Sequence, residues 1–153
     1  MTKVATGTLV TYLGELVSNT HKIMLLKNTY TPNADHKFVS DLVAHECDAT
    51  GYVGGYGGAG RKTVGSKTFT EDAANDRAVL DAADPAPWTA LGGTVDNTLG
   101  KVALIEEVGG SDATARVLCT LNFVVGGTPT PRNTNGGDFS VTFDALGIIH
   151  FNC

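Results

Sequence analysis

Positive charge is scarce in this chain. Eleven Lys and Arg face sixteen Asp and Glu, a formal net charge of −5, and only Arg61 and Lys62 stand side by side. Nucleic-acid binders gather cations to neutralise phosphates, so no nucleic-acid partner is expected. Long apolar runs are missing as well. None approaches the roughly 20 residues that cross a bilayer, and residues 1–17 lack the unbroken apolar stretch of an export signal. The expectation is a chain made in the cytosol that touches no membrane. Cysteine is limited to Cys47, Cys119 and Cys153, with no C-x-x-C spacing, so free thiols are expected. Metal and catalytic patterns are lacking too. His36, His45, Glu46 and Cys47 form no H-x-x-x-H or H-E-x-x-H pair, and the contiguous "HEC" would alternate faces in a strand. The acidic stretch with Glu71, Asp72, Asp76, Asp81 and Asp84 lacks calcium-loop spacing, which leaves hairpin and turn carboxylates in solvent. "VGSKT" around Ser66 is not a G-x-S-x-G nucleophile turn. No cofactor, no metal and no enzymatic activity are expected.

What the chain does contain is glycine. Nineteen are present, many of them paired: Gly54-Gly55, Gly57-Gly58, Gly92-Gly93, Gly109-Gly110, Gly126-Gly127 and Gly136-Gly137. Such pairs punctuate a succession of strands. "HKIMLLKN" reads as a buried strand, "KTFTEDAANDRAVLDA" as a hairpin turning at residues 73–76, and "GKVALIEEV" as another strand. "ATARVLCTLNFVV" alternates, with Val117, Cys119, Leu121, Phe123 and Val125 on one face. "GGTPTPRNTNGG" reads as a loop because Pro129 and Pro131 cannot sit in a central strand, and Phe139, Val141 and Phe143 alternate in a closing strand. Phe38, Val39, Leu42 and Val43 sit at helical spacing behind Asn33 or Asp35, which predicts one helix of two or three turns. The fold class is mainly β: an antiparallel β-sandwich or barrel-like domain with one short helix. Residues 1–18 read as an N-terminal arm or short helix, and residues 19–153 as a single β-rich domain.

"GYVGGYGGAGRKTVG", residues 51–65, contains Gly55, Gly57 and Gly60 in G-x-G-x-x-G order, followed by Arg61 and Lys62. A dinucleotide site needs an apolar strand before the first glycine and a helix after the last. Upstream "HECDATGYV" is polar, and downstream "RKTVGSKTFT" favours strand. A P-loop needs Lys directly after its glycine, where Arg61 stands. The stretch therefore reads as a mobile connection, ordered only against a neighbour. Tyr52, Tyr56, Arg61, Lys62 and the lone Trp88 are its candidate protein-contact residues, since aromatics on an adaptable backbone suit protein interfaces.

The order of segments carries a resemblance. "KIMLLKNTYTPNADHKFVSDL", "ATGYVGG", "DRAVLDAADPAPWTAL", "KVALIEE" and "GDFSVTFDALGIIHF" together resemble a group of small bacteriophage virion structural proteins. The resemblance spans roughly residues 22–151; the N-terminal arm and "GYGGAGRK" take no part in it. It implies a capsid decoration (cement) protein on the capsid exterior of the virion, bridging major capsid protein subunits and making or breaking no bond. Tail, neck or fibre accessory roles remain alternatives. A sheet protein must cover its strand edges, and closed symmetry does so without fibre growth, so a homotrimer at a three-fold capsid position is expected.

Overall fold

The computed structural model describes residues 17–92 and 98–152, the last two as backbone alone. The arm expected over residues 1–18 thus lies almost wholly outside the described residues. The fold is mainly β, its sheets are antiparallel and include a half-barrel, and among the described residues no helix reaches seven residues. The described strands are β1 (His21–Lys27), β2 (Lys62–Thr63), β3 (Thr68–Asp72), β4 (Arg77–Asp81), β5 (Thr98–Glu106), β6 (Arg116–Asn122), β7 (Val124–Val125), β8 (Thr128–Pro129), β9 (Arg132–Asn133) and β10 (Ile149–Asn152). Contacts gather them into two compact units.

The larger unit is built from His21–Thr63 and Ala86–Ser140. Its sheet runs β2-β1-β5-β6, with β9 also paired to β5. The apolar run in β1 has no alternation because both faces are covered: Ile23, Met24, Leu25 and Leu26 are all fully buried. Full burial of such a side chain contributes about 1.5–3 kcal/mol, so the two central strands carry much of the unit's stability. On one face Met24 and Leu26 of β1 and Ala103 and Ile105 of β5 pack with Tyr30, Val39, Leu42 and Ala115. β6 alternates as expected only as far as its register with β5 holds. Cys119 pairs Leu104 but Val117 pairs Ile105, so Leu118 is an extra residue and projects into solvent. Val125, expected on the same face, is half exposed in a separate hairpin.

The helix expected behind Asn33 or Asp35 is instead two 3-10 turns, Val39–Asp41 and Val43–His45. Backbone competition explains the difference. Phe38 is extended, the Val39 N–H donates to the Ala115 carbonyl, and the Ser40 N–H donates to the Asp112 carbonyl. The Asp41 carboxylate accepts from the Lys37 and Phe38 N–H groups. With these donors held by the turn that leads into β6, an α-helix cannot propagate. Val39 and Leu42, three apart, are buried, as the tighter 3-10 period allows.

"GGTPTPRNTNGG" is more ordered than a loop. Gly126 and Gly127 have φ of 56° and 80°, the sign a two-residue hairpin turn needs, and they join β7 to β8. Pro129 is tolerated because β8 is a two-residue strand in a two-stranded sheet. The closing segment differs from expectation as well. Phe139 makes a single bridge to Trp88, and of this stretch only β10 is a strand.

The smaller unit takes the described residues of Met1–Thr20, Val64–Pro85 and Val141–Cys153. Its sheet order is β10-β4-β3. The hairpin turns at residues 73–76, as its sequence predicts, because Asp72 accepts from Asn75 Nδ2 at 2.9 Å and Arg77 Nε at 2.7 Å. These hydrogen bonds hold the Asp72 carboxyl below its ordinary pKa. Asp81 accepts from the Ala82 N–H and Asp84 from the Phe143 N–H, so these acidic side chains organise backbone.

Candidate functional site: the glycine loop and the β6 groove

The glycine loop holds an anion, and the anion is the chain's own. Glu46 follows the second 3-10 turn and bridges to Leu26, which places its carboxylate at the edge of β1. Oε1 accepts from Arg61 Nε at 2.8 Å and from the Tyr52 hydroxyl at 3.0 Å. Oε2 accepts from Arg61 Nη2 at 2.8 Å and from the Gly55 N–H at 3.2 Å. Arg61 also donates to both carboxylate oxygens of Asp112. Its side chain is 0% exposed and that of Glu46 6%. A buried charge persists only when paired and hydrogen-bonded, and here every nitrogen of the guanidinium is engaged. Burial alone would lower the Arg61 pKa, but the bonds to Glu46 and Asp112 raise it above the usual arginine range.

Tyr52 ties this cluster to the sheet. Its hydroxyl accepts from the Leu25 N–H at 3.4 Å while donating to Glu46. It thereby satisfies a β1 donor between the pairing with β2 and the Glu46 bridge. Burial, with the Glu46 charge beside it, pushes the Tyr52 pKa well above that of free tyrosine.

Three more donors close the loop on itself: Gly58 N–H to the Gly55 carbonyl, Gly60 N–H to Val53, and Arg61 N–H to Gly58. Gly60 is required by space. A Cβ there would stand 2.8 Å from the Val53 oxygen and 2.9 Å from the Tyr52 ring. The loop is followed by β2, so no helix N-terminus faces it. A phosphate would meet the fixed Glu46 carboxylate. The loop expected to order only against a neighbour is held by its own chain.

The five sequence-predicted contact residues separate into two groups. Tyr52, Arg61 and Trp88 are 8%, 2% and 1% exposed, so their side chains are interior and offer no surface to a partner. Trp88 donates through Nε1 to the Gly60 carbonyl and meets Phe139 edge-on. Tyr56 is 40% exposed. Lys62 is half-buried, its Nζ lying 5.9 Å over the Trp88 ring. Val53, unremarked in the sequence, is the loop's most open apolar side chain, at 62%.

A second feature escaped sequence reasoning. Beside β6 lies an open groove of about 550 Å³, lined among others by His36, Lys37, Phe38, Arg116, Leu118 and Thr120. Phe38 and Leu118 are exposed, and the Arg116 side chain is 65% exposed although it reaches Glu106 at 3.5 Å. His36 meets the Tyr30 hydroxyl at 3.2 Å and His45 packs on the Tyr30 ring. Cys47 and Cys119 are free thiols. Burial raises both, Cys119 to about 11. Among the described residues no three His, Cys, Asp or Glu side chains come together as metal ligands, and no helix is long and apolar enough to cross a membrane. No family model, curated protein or solved structure matches the chain.

Proposed function

We propose that the chain is a bacteriophage virion structural protein, a capsid decoration protein that bridges neighbouring major capsid subunits and works by adhesion alone. The segment order described above supplies the virion setting. The observation that carries the adhesive reading is the β7–β8 hairpin. Val124 and Val125 are successive strand residues, so they point to opposite faces, and both are exposed, at 56% and 50%. A two-stranded hairpin wet on both faces is marginal by itself, and a partner surface that covers it stabilises it. The scaffold behind it is firm: Phe123 packs edge-on against Phe139, which in turn packs on Trp88. Many copies, each with a modest apolar contact, hold a lattice strongly through avidity. A homotrimer on the capsid exterior belongs to the same reading.

The experiment is a cryo-EM reconstruction of particles carrying this chain, with a Val124→Ser, Val125→Ser variant alongside. Density on the shell, reduced for the variant while its isolated fold is unchanged, is the expected result. Density on the tail would move the protein to an accessory role there, and absence from particles would overturn the reading.

A further inference from the structure

Asn135 is the one asparagine of the chain that precedes a glycine. Asparagine is thermally labile, because the backbone nitrogen of the next residue can attack its side-chain amide carbon. A glycine in that place leaves the nitrogen unhindered. The pair lies on a strap, residues 134–139, that runs beside residues 88–92. Trp88 and Phe139 exchange both backbone hydrogen bonds, at 2.9 and 2.8 Å. The Leu91 N–H donates to the Gly137 carbonyl at 3.0 Å, and the Gly136 N–H donates to the Leu91 carbonyl at 2.8 Å. Side chains add two ties: the Ala90 N–H donates to Asp138 Oδ1 at 3.1 Å, and the Thr134 hydroxyl donates to the Gly92 carbonyl at 3.3 Å. Asn135 and Gly136 are themselves exposed. Within their own turn, the Gly137 N–H donates to Asn135 Oδ1 at 3.1 Å. Gly136 has φ of 85°, and a Cβ there would meet nothing within 4 Å, so its glycine serves the turn rather than close packing.

We infer that Asn135–Gly136 is a self-modification site, primed by its own turn and latched by Leu91. The step is an intramolecular displacement. Gly136 N bonds to Asn135 Cγ while the Cγ–Nδ2 bond breaks. The Gly136 proton passes through solvent to the departing nitrogen, which leaves as ammonia, and a cyclic succinimide remains. Water then opens the ring at either carbonyl, giving aspartate or isoaspartate. Nothing is oxidised or reduced, and water is the only co-reactant. Negative charge develops on Oδ1 during the attack, and the Gly137 N–H already points at that oxygen. This contact is local to the turn, so it does not depend on the strap's pairing. The nucleophile is restrained instead. Gly136 must give up its bond to the Leu91 carbonyl before its nitrogen can lose the proton and turn toward Cγ. Modification therefore waits for residues 134–139 to separate from residues 88–92, a local opening rather than global unfolding. The latch does not re-form afterwards. Isoaspartate routes the main chain through Cγ, which shifts Gly136 and Gly137 out of register with Leu91, and it sets a new carboxylate close to Asp138. The inference goes beyond the proposed function and does not depend on it.

The test incubates the full chain at mildly alkaline pH, folded and in unfolding urea. Peptide mass mapping follows the amide-to-acid exchange, and enzymatic methylation counts isoaspartate. Asn135 should be the first asparagine modified, and it should react about tenfold or more slowly in the folded chain than in the unfolded one. Asp138→Ala, which removes the acceptor of the Ala90 N–H, should speed the reaction of the folded chain severalfold and leave the rate in urea unchanged. Asn135→Gln should abolish it. A second measurement needs no variant: in wild type at sub-denaturing urea, modification should rise in step with amide exchange at Gly136. Equal rates in the folded and unfolded chain, first modification at another asparagine, an Asp138→Ala rate equal to that of wild type, or Gly136 exchange that rises without modification would overturn the inference.

Discussion

Two glycine-rich turns of this chain behave in opposite ways. The loop over residues 51–60 is the richer in glycine, yet it encloses a buried carboxylate; the Gly58 and Gly60 N–H groups close on its own carbonyls and the Gly55 N–H on Glu46. The β7–β8 hairpin has only Gly126 and Gly127, yet it stands in solvent with two exposed valines. Glycine content therefore does not decide which segment is held. The loop is fixed because a charge at its centre must be satisfied, and leaving a buried ion unpaired costs more than ordering a few flexible residues. The hairpin contains no such charge. Its order comes from one turn and two short strands, which makes it the better candidate for contact with a partner.

The largest break in this contrast should come from Arg61→Met. With the guanidinium gone, Glu46 and Asp112 lose their cation, and the cost should be about 3–5 kcal/mol. Urea denaturation would measure it, and amide exchange over residues 51–60 should rise toward that of the hairpin. Gly60→Ala should cost about 1–3 kcal/mol, because its Cβ would press on the Val53 oxygen and the Tyr52 ring. A crystal structure showing that ring displaced would locate the strain.

Tyr52→Phe should cost about 1–3 kcal/mol, since it leaves the Leu25 N–H and one Glu46 oxygen short of a partner. The same hydroxyl predicts a pH dependence. Its folded pKa lies above its unfolded value of 10.0, so its stabilising contribution is complete below that value. It is lost as pH rises beyond it, when only the unfolded chain ionises. Ultraviolet titration of the folded protein should leave Tyr52 silent until the fold opens, and Tyr52→Phe should flatten the alkaline loss of stability. The smallest effect is expected at the hairpin. Val124→Ser should change the stability of the isolated protein by no more than about 0.5 kcal/mol, because its side chain is already solvated.

Much of the architecture was legible where neighbours in sequence decide it. The unbroken apolar run of β1, the 73–76 turn and the succession of glycine-bounded strands all depend on local pattern and turn chemistry. The absence of a strand before the glycine loop and the strand after it were legible for the same reason. The helix over Phe38, Val39, Leu42 and Val43 was misread because its spacing was real while its backbone donors had stronger partners on the segment leading into β6. Tyr52, Arg61 and Trp88 are candidate contact residues in the sequence because aromatics on an adaptable backbone suit interfaces, but all three are buried. Their partners are far along the chain: Glu46 lies fifteen residues and Asp112 fifty-one from Arg61, and Gly60 lies twenty-eight from Trp88.

By itself, the sequence determined that this would be a glycine-punctuated antiparallel β protein with buried central strands, since alternation, apolar runs and turn residues act within a few positions of one another. The tertiary structure alone placed Arg61 inside, closed the loop before it on Glu46, and left β5 as the one described strand paired with β6. A charge enters the interior only if the fold brings its counter-charge to meet it, and an edge is open only if nothing distant comes to cover it.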